Sequence, residues 1–484
     1  MTPVLWASAA AALSVSPAAH AAPRSAPASA IAVDQCPANF PANWRCLSIA
    51  VPENYSAPGG AKAEVRVVVA PALRPEPRPE AVILIQGAPG LSGTAVAEAG
   101  FLPSIGGLQA THDLVVVDQR RVSGPDALLC PPSGPPAEAA TWAADFFSPA
   151  HLSNCRERSA TRADLKALTT SNFARDVESV RAALGYDSLE FYSTNYGGLI
   201  VQEYIRRFPK RVRAAVIADT GPMDEPVSWN SDRWTITAIK AALAGCDADS
   251  ECHAAFPRID REFDALMRRT GAEGLKATVA TPAETEAVTF DRETLLAYFR
   301  AHFHFMRDVA AIPYEVHALA TGNPVRVAAI ANQLLGYQHA VYGGVALGVW
   351  MSVECAEEAP AMRARLARGE QPGNGRVRTI LAACARWPHG EPAADFHQAV
   401  RSDTPVLLLT SSMEPGYPAA LARRVAAGFS HARIVLDANH GHVFDDDWQM
   451  CLGPQAVAFL DTLDLGAVDA RCAARFRFRP FKLH

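Results

Sequence analysis

The 484-residue sequence predicts an α/β fold in which a mostly parallel sheet is covered on both faces by helices. Three observations predict it. Short runs of aliphatic and β-branched residues recur without polar interruption, as in strands buried on both faces. Segments with apolar spacing near 3.6 lie between them. Leu189-Glu190-Phe191-Tyr192-Ser193-Thr194-Asn195-Tyr196-Gly197-Gly198 reads as strand, sharp turn, helix.

The strands follow in order. Val65–Ala70, Ala81–Ile85, Asp113–Val117 and Ala214–Ala218 are aliphatic runs, and so are Pro405–Leu409 and Arg433–Leu436. Phe173–Leu184 has helical periodicity and stops at Gly185, a residue suited to the left-handed position after a helix. Leu199–Phe208 is a second helix, ended by Pro209. Between about Pro226 and Val400 the strand signal disappears, and an Ala-, Arg- and Glu-rich span with helical periodicity takes its place. The division expected is therefore a core over 34–225, a helical cap over 226–400 and the rest of the core over 401–484.

With 49% hydrophobic residues the chain can bury a large core. Net charge is −5 and the basic residues form no stripe, which argues against a nucleic-acid partner. The N-terminus reads as a signal peptide over 1–21. It has a short apolar segment and the small-x-small site Ala19-His20-Ala21, followed by a flexible leader over 22–33. A secreted or periplasmic location follows, with no membrane association after cleavage. Ten cysteines agree with export; taken in sequence order they make five short-range pairs.

Ligands of open α/β sheets bind beyond the carboxyl ends of the strands. Four loops there carry chemistry. Gln86-Gly87-Ala88-Pro89-Gly90 is small enough to bring backbone N–H groups to a ligand, as an oxyanion hole requires. The turn after Thr194 places Asn195 where a hydrolase presents its nucleophile, and an amide has no hydroxyl to attack with. Ser193 and Thr194 cannot be the apex, because bulky residues flank both. Ser411-Ser412-Met413-Glu414-Pro415 offers a carboxylate to orient a histidine. Asn439-His440-Gly441-His442 supplies the base, with His442 favoured over His440. A metal reading of His440 and His442 with Asp445-Asp446-Asp447 lacks its remaining ligands, so neither metal nor cofactor is expected.

Taken together these motifs resemble the secreted tripeptidyl and prolyl aminopeptidase group of α/β-hydrolases. The resemblance rests on Gly87-Ala88-Pro89-Gly90, Asp118-Gln119-Arg120, Phe173-Ala174-x-Asp176-x-Glu178, Tyr196-Gly197-Gly198 with Gln202-Glu203-Tyr204, Val353-Glu354-Cys355-Ala356-Glu357 and Cys384-Ala385-Arg386-Trp387-Pro388. It implies an α/β-hydrolase fold with a helical cap and removal of short N-terminal pieces from peptides. It also implies a nucleophile position at Asn195, an acid at Glu414, a base at His442 and oxyanion donors at Ala88 and Tyr196. An acidic cap residue, for which Glu357 is the best candidate, holds the free amine of the substrate. The chain departs from the pattern in Asn195 for Ser, Glu414 for Asp, Ala88 for Gly, and Arg121-Val122-Ser123 for Gly-Thr-Gly. Two functions are therefore weighed. One is a peptidase-like hydrolase in which His442 activates a water; the other is a pseudoenzyme that binds a peptide or small apolar ligand under the cap.

Overall fold

The computed structural model describes residues 31–484 apart from 75–76, 99–102, 136–137, 282–283, 305 and 443–445. Side chains at 103–106 and 446–449 are also not described. The expected signal peptide and the leader up to residue 30 fall outside these residues.

Among the described residues nine strands form one sheet: β1 (Ile31–Asp34), β2 (Arg45–Pro52), β3 (Lys62–Ala70), β4 (Ala81–Ile85), β5 (Leu114–Val117), β6 (Leu189–Thr194), β7 (Val212–Ala218), β10 (Val406–Ser411) and β11 (Ala432–Asp437); β8 (Leu275–Ala280) and β9 (Thr285–Phe290) form a separate hairpin. Their order across the sheet is β1-β2-β3-β5-β4-β6-β7-β10-β11. From β5 to β11 every neighbouring pair is parallel; β1, β2 and β3 join antiparallel at one edge.

Side-chain alternation sorts the strand residues onto two faces. Val65, Val67, Val69, Ile83 and Ile85 pack in one apolar cluster. Val68, Ala70, Val82 and Leu84 pack in another. Strands β4, β5, β6 and β10 are buried along their whole length, which is why β4, β5 and most of β10 read as aliphatic runs. The helix Thr170–Leu184 packs on this core. Thr169 caps it by accepting a hydrogen bond from Asn172 N–H, and Gly185 closes it at φ 83°.

Two expectations need correction. The last residues of the expected leader form a strand: Ile31–Asp34 is β1, paired in register with Cys46–Ile49. The cap segment also contains strands, because β8 and β9 pair as an antiparallel hairpin. Its outward face is exposed and its runs are short, so the alternation in Leu275–Ala280 is weak as a sequence signal. The remainder between β7 and β10 is helical, from Ser231–Ala248 to Val377–Cys384, with its own apolar cluster. The C-terminal tail returns to that cluster through Phe478, Phe481 and Leu483.

Disulfides join the cysteines in sequence order: Cys36–Cys46, Cys130–Cys155, Cys246–Cys252, Cys355–Cys384 and Cys451–Cys472. Among the described residues no helix is long and apolar enough to cross a membrane.

Candidate active site

The site lies at the carboxyl ends of β4, β6, β7 and β10, beneath the cap. Strand β6 ends at Thr194 and the helix Gly197–Arg207 begins after two intervening residues, Asn195 and Tyr196. The chain makes this turn by placing Asn195 at φ 49°, a left-handed conformation that Asn adopts more readily than most residues. Small residues are required around it. A Cβ on Gly197 would lie 2.5 Å from Ile85 O, and one on Gly198 2.4 Å from Thr220 Oγ1.

The β4 loop passes over this turn. A Cβ on Gly87 would sit 2.8 Å from Asn195 Oδ1. Gln119 clamps the loop from behind: its Oε1 accepts from Gly90 N–H at 3.1 Å and its Nε2 donates to Ala88 O at 3.1 Å. Ala88 and Tyr196 both line the cavity beside Asn195. Tyr196 is also the residue at the N-terminal end of the helix, where backbone N–H groups and the helix dipole favour negative charge.

Glu414 and His442 meet Asn195 from the other side. One Glu414 oxygen accepts from Gly416 N–H at 2.8 Å and from Tyr417 N–H at 3.2 Å. The other lies 2.6 Å from His442 Nδ1. His442 Nε2 lies 2.9 Å from Asn195 Oδ1. His440, the alternative, points elsewhere; its ring packs on Phe476 and its Nδ1 is 3.5 Å from Asp437.

Burial opposes the charged form of His442, but the Glu414 and Asp219 carboxylates outweigh it and raise the imidazole to about 10. Burial likewise opposes ionisation of Glu414, and His442 with the Gly416 and Tyr417 N–H groups holds its carboxylate below the ordinary range. Half-buried His304 meets His442 edge-on at 4.9 Å; burial, then the His442 charge, lowers it to about 4.

Glu357 is not where the resemblance puts it. It does not line the cavity. Its carboxylate accepts from Thr170 N–H and Thr170 Oγ1, both at 2.6 Å, and Thr170 Oγ1 in turn accepts from Tyr196 OH at 2.6 Å. Glu357 therefore braces the Tyr196 ring from behind. The acids of this cap segment that do face the cavity are Glu354 and Glu358; Asp232 and Glu414 line it as well. The segment Glu354–Glu358 is a single π-helical turn, whose wider i→i+5 pitch sets these two carboxyls together. Ser228 binds both, through Oγ to Glu354 and N–H to Glu358, each at 2.9 Å. Glu354 Oε1 is buried, with Trp350 and Glu358 beside it. Burial, then the charge of Glu358, pushes Glu354 well up; burial raises Glu358 to about 7.

The cavity that joins these groups has a volume of about 350 Å³, and Phe146, Phe147, Val341 and Trp350 give it apolar walls. Sequence reasoning missed Asp219, His304, Glu354 and Glu358 as site groups. Asp219 was detectable as the first residue after a strand end. The register of the two glutamates depends on a π turn that sequence periodicity does not announce.

His442 Nδ1 and one oxygen each of Asp219 and Glu414 lie within 4.8 Å of one another, close enough to suggest metal ligands. The 2.6 Å between His442 Nδ1 and Glu414 is a hydrogen bond, shorter than the separation of two atoms bound to one tetrahedral ion. The triplet is a proton-sharing cluster. Asp445, the first of the acidic run weighed as ligands, lies outside the described residues; the side chains of Asp446 and Asp447 do too.

Comparison with known proteins agrees with this architecture. The family described as "alpha/beta hydrolase fold" matches residues 80–241, and that described as "TAP-like protein" matches 371–472. The chain has the α/β-hydrolase fold. Its curated relatives include the serine protease Hip1 of Mycobacterium tuberculosis, 29% identical over 189 residues, which is 37% of this chain and 36% of that protein. The tripeptidyl aminopeptidase of Streptomyces lividans is 31% identical over 194 residues, 37% of this chain and 36% of that one. The matches thus span little more than a third of each relative. Among solved structures, the proline iminopeptidase of Mycobacterium smegmatis aligns with 87% of this chain and 99% of its own, at 14% identity and a TM-score of 0.40. An acetylester hydrolase of Corynebacterium glutamicum aligns with 87% and 96%, at 12% identity and 0.42.

Proposed function

We propose that this protein is an exported, aminopeptidase-like member of the α/β-hydrolases whose cavity binds the amino end of a short peptide without forming an acyl-enzyme. The observation that carries the reading is Asn195 itself. Its amide fills the nucleophile position and its Oδ1 meets His442 Nε2 at 2.9 Å, the nitrogen that would take the nucleophile's proton. Loss of the nucleophile of a catalytic triad costs about six orders of magnitude in kcat. The peptidase relatives support a peptide as ligand. Five disulfides support an oxidising compartment.

In this reading Ala88 and Tyr196 N–H groups hold the first peptide carbonyl. Glu354 and Glu358, sharing a buried carboxyl cluster, take the ammonium, and the Phe146, Phe147 and Trp350 walls take an apolar side chain. An arriving N–H₃⁺ can donate to both carboxyls of this pair. Isothermal titration of wild type with an unblocked tripeptide and with its N-acetylated form tests this. Binding of the free peptide alone, weakened at least tenfold in Glu358→Gln, is the expected result. Equal binding of the acetylated peptide would remove the amine site from the account.

A further inference from the structure

Asp219 is the first residue after β7, and it too is left-handed, at φ 47°. Its N–H donates to Leu409 O at 2.9 Å, which ties it to β10. From that position it holds two site residues at once. Its backbone carbonyl accepts from Asn195 Nδ2 at 3.3 Å, and its carboxylate lies 3.1 Å from His442 Nδ1.

The hydrogen positions follow from these contacts. A carbonyl oxygen can only accept, so Asn195 turns Nδ2 to Asp219 O and Oδ1 to His442. The flipped amide would set Oδ1 against the Asp219 oxygen with no hydrogen between them. His442 Nε2 therefore carries a hydrogen, because a bare nitrogen would face the Asn195 oxygen lone pair to lone pair at 2.9 Å. His442 Nδ1 faces carboxylates from two different loops, Glu414 at 2.6 Å and Asp219 at 3.1 Å, so it carries a hydrogen as well. Among the described residues His304 also packs on the ring, edge-on from the cap, and burial opposes its protonation.

We infer that Asp219 is a positioning residue that, together with Glu414 and Asn195, fixes His442 as a doubly protonated imidazolium, so that the site rests in a state able to bind and unable to act as a base. This rests on the placement of the proposed site at Asn195 and His442. It makes Asn195 one member of a closed ring, Asn195–His442–Asp219, rather than a serine position that has lost its function. A general base must hold a lone pair toward the proton it takes; here that lone pair is occupied and the second carboxylate keeps it so.

The test is ¹⁵N NMR of the His-labelled full chain, with the His442 resonances assigned by their disappearance in His442→Gln. In wild type both ring nitrogens of His442 are expected to be protonated at pH 7. In Asp219→Asn the His442 titration is expected to fall by at least about one pH unit, the effect of removing one adjacent opposite charge. Asn195→Ser is expected to lower it too. A wild-type His442 with one bare nitrogen at pH 7 would overturn the inference. So would an Asp219→Asn protein with an unchanged His442 titration, since a purely structural Asp219 predicts that. If Asp219→Asn does not fold, the wild-type spectrum decides alone. Peptide binding is not read in this experiment, so failure of the proposed function and failure of this inference are separate results.

Discussion

Replacing Asn195 by Ser should create a competent nucleophile at the expense of stability. The cost can be worked from the turn. Asn195 makes two side-chain contacts, to His442 through Oδ1 and to Asp219 O through Nδ2. A serine hydroxyl sits on the Cβ and can meet only one of them. Losing the weaker, uncharged bond costs about 0.5–1 kcal/mol. Holding a residue other than Gly, Asn or Asp at φ 49° adds about 1–2 kcal/mol. The sum for Asn195→Ser is about 1.5–3 kcal/mol. Asn195→Ala also loses the bond to the charged imidazole, worth about 1.5–3 kcal/mol more. Asn195→Gly keeps the φ freely and should fall between wild type and Ala. The assay is the midpoint of urea unfolding at pH 7, followed by tryptophan fluorescence. The order wild type, Ser, Ala is expected. A serine variant as stable as wild type would refute the claim that the amide is integrated into the network.

Further outcomes follow from other parts of the site. Amine binding at Glu358 needs its carboxylate, which burial raises to about 7, and a peptide ammonium that is lost above about 8. Titration calorimetry from pH 5 to 9 should therefore show peptide affinity peaking between about 7 and 8; tighter binding at pH 5 would contradict it. Glu357, raised by burial to about 8, prefers its proton in the folded state. Its stabilising contribution is complete below its ordinary value of 4.5 and lost as pH rises through about 8, so Glu357→Gln should flatten the fall in stability over that window. Gly90→Ala forces a Cβ to 2.5 Å from Ala346 O at φ 83°, and should lower both the melting temperature and peptide affinity by displacing the Ala88 loop. Removing Cys355–Cys384, which closes a chain separation of 29 residues beside the π turn, should cost about 3–4 kcal/mol, read by urea unfolding of the double Cys→Ala protein.

The parts of the molecule governed by period and local chemistry were legible in the sequence. Buried parallel strands such as Ala81–Ile85 must be aliphatic on both faces, and the elbow must be crowded with small residues. Both leave marks that one chain can show. The edge strand Ile31–Asp34 did not, because it is four residues long with three of them exposed, and its composition matches that of the leader before it. The site divided in the same way. Asn195, Glu414 and His442 follow chain order and strand ends, and the structure brings them together. Glu357 came from the resemblance alone, which does not say which acid of the run Glu354–Glu358 faces the cavity; that is set by the π turn. Asp219 shows in the sequence only as the first residue after a strand end; its part depends on a contact with His442, 223 residues further on, which that position does not reveal.

The account is tested most directly by side-by-side turnover of wild type and Asn195→Ser on unblocked aminoacyl and tripeptidyl fluorogenic substrates. It predicts no hydrolysis by wild type, and hydrolysis by Asn195→Ser that rises with pH as the His442 proton is lost. Hydrolysis by wild type that scales with protein and vanishes in His442→Ala would contradict it, because His442 would then be acting as a base with Asn195 in place.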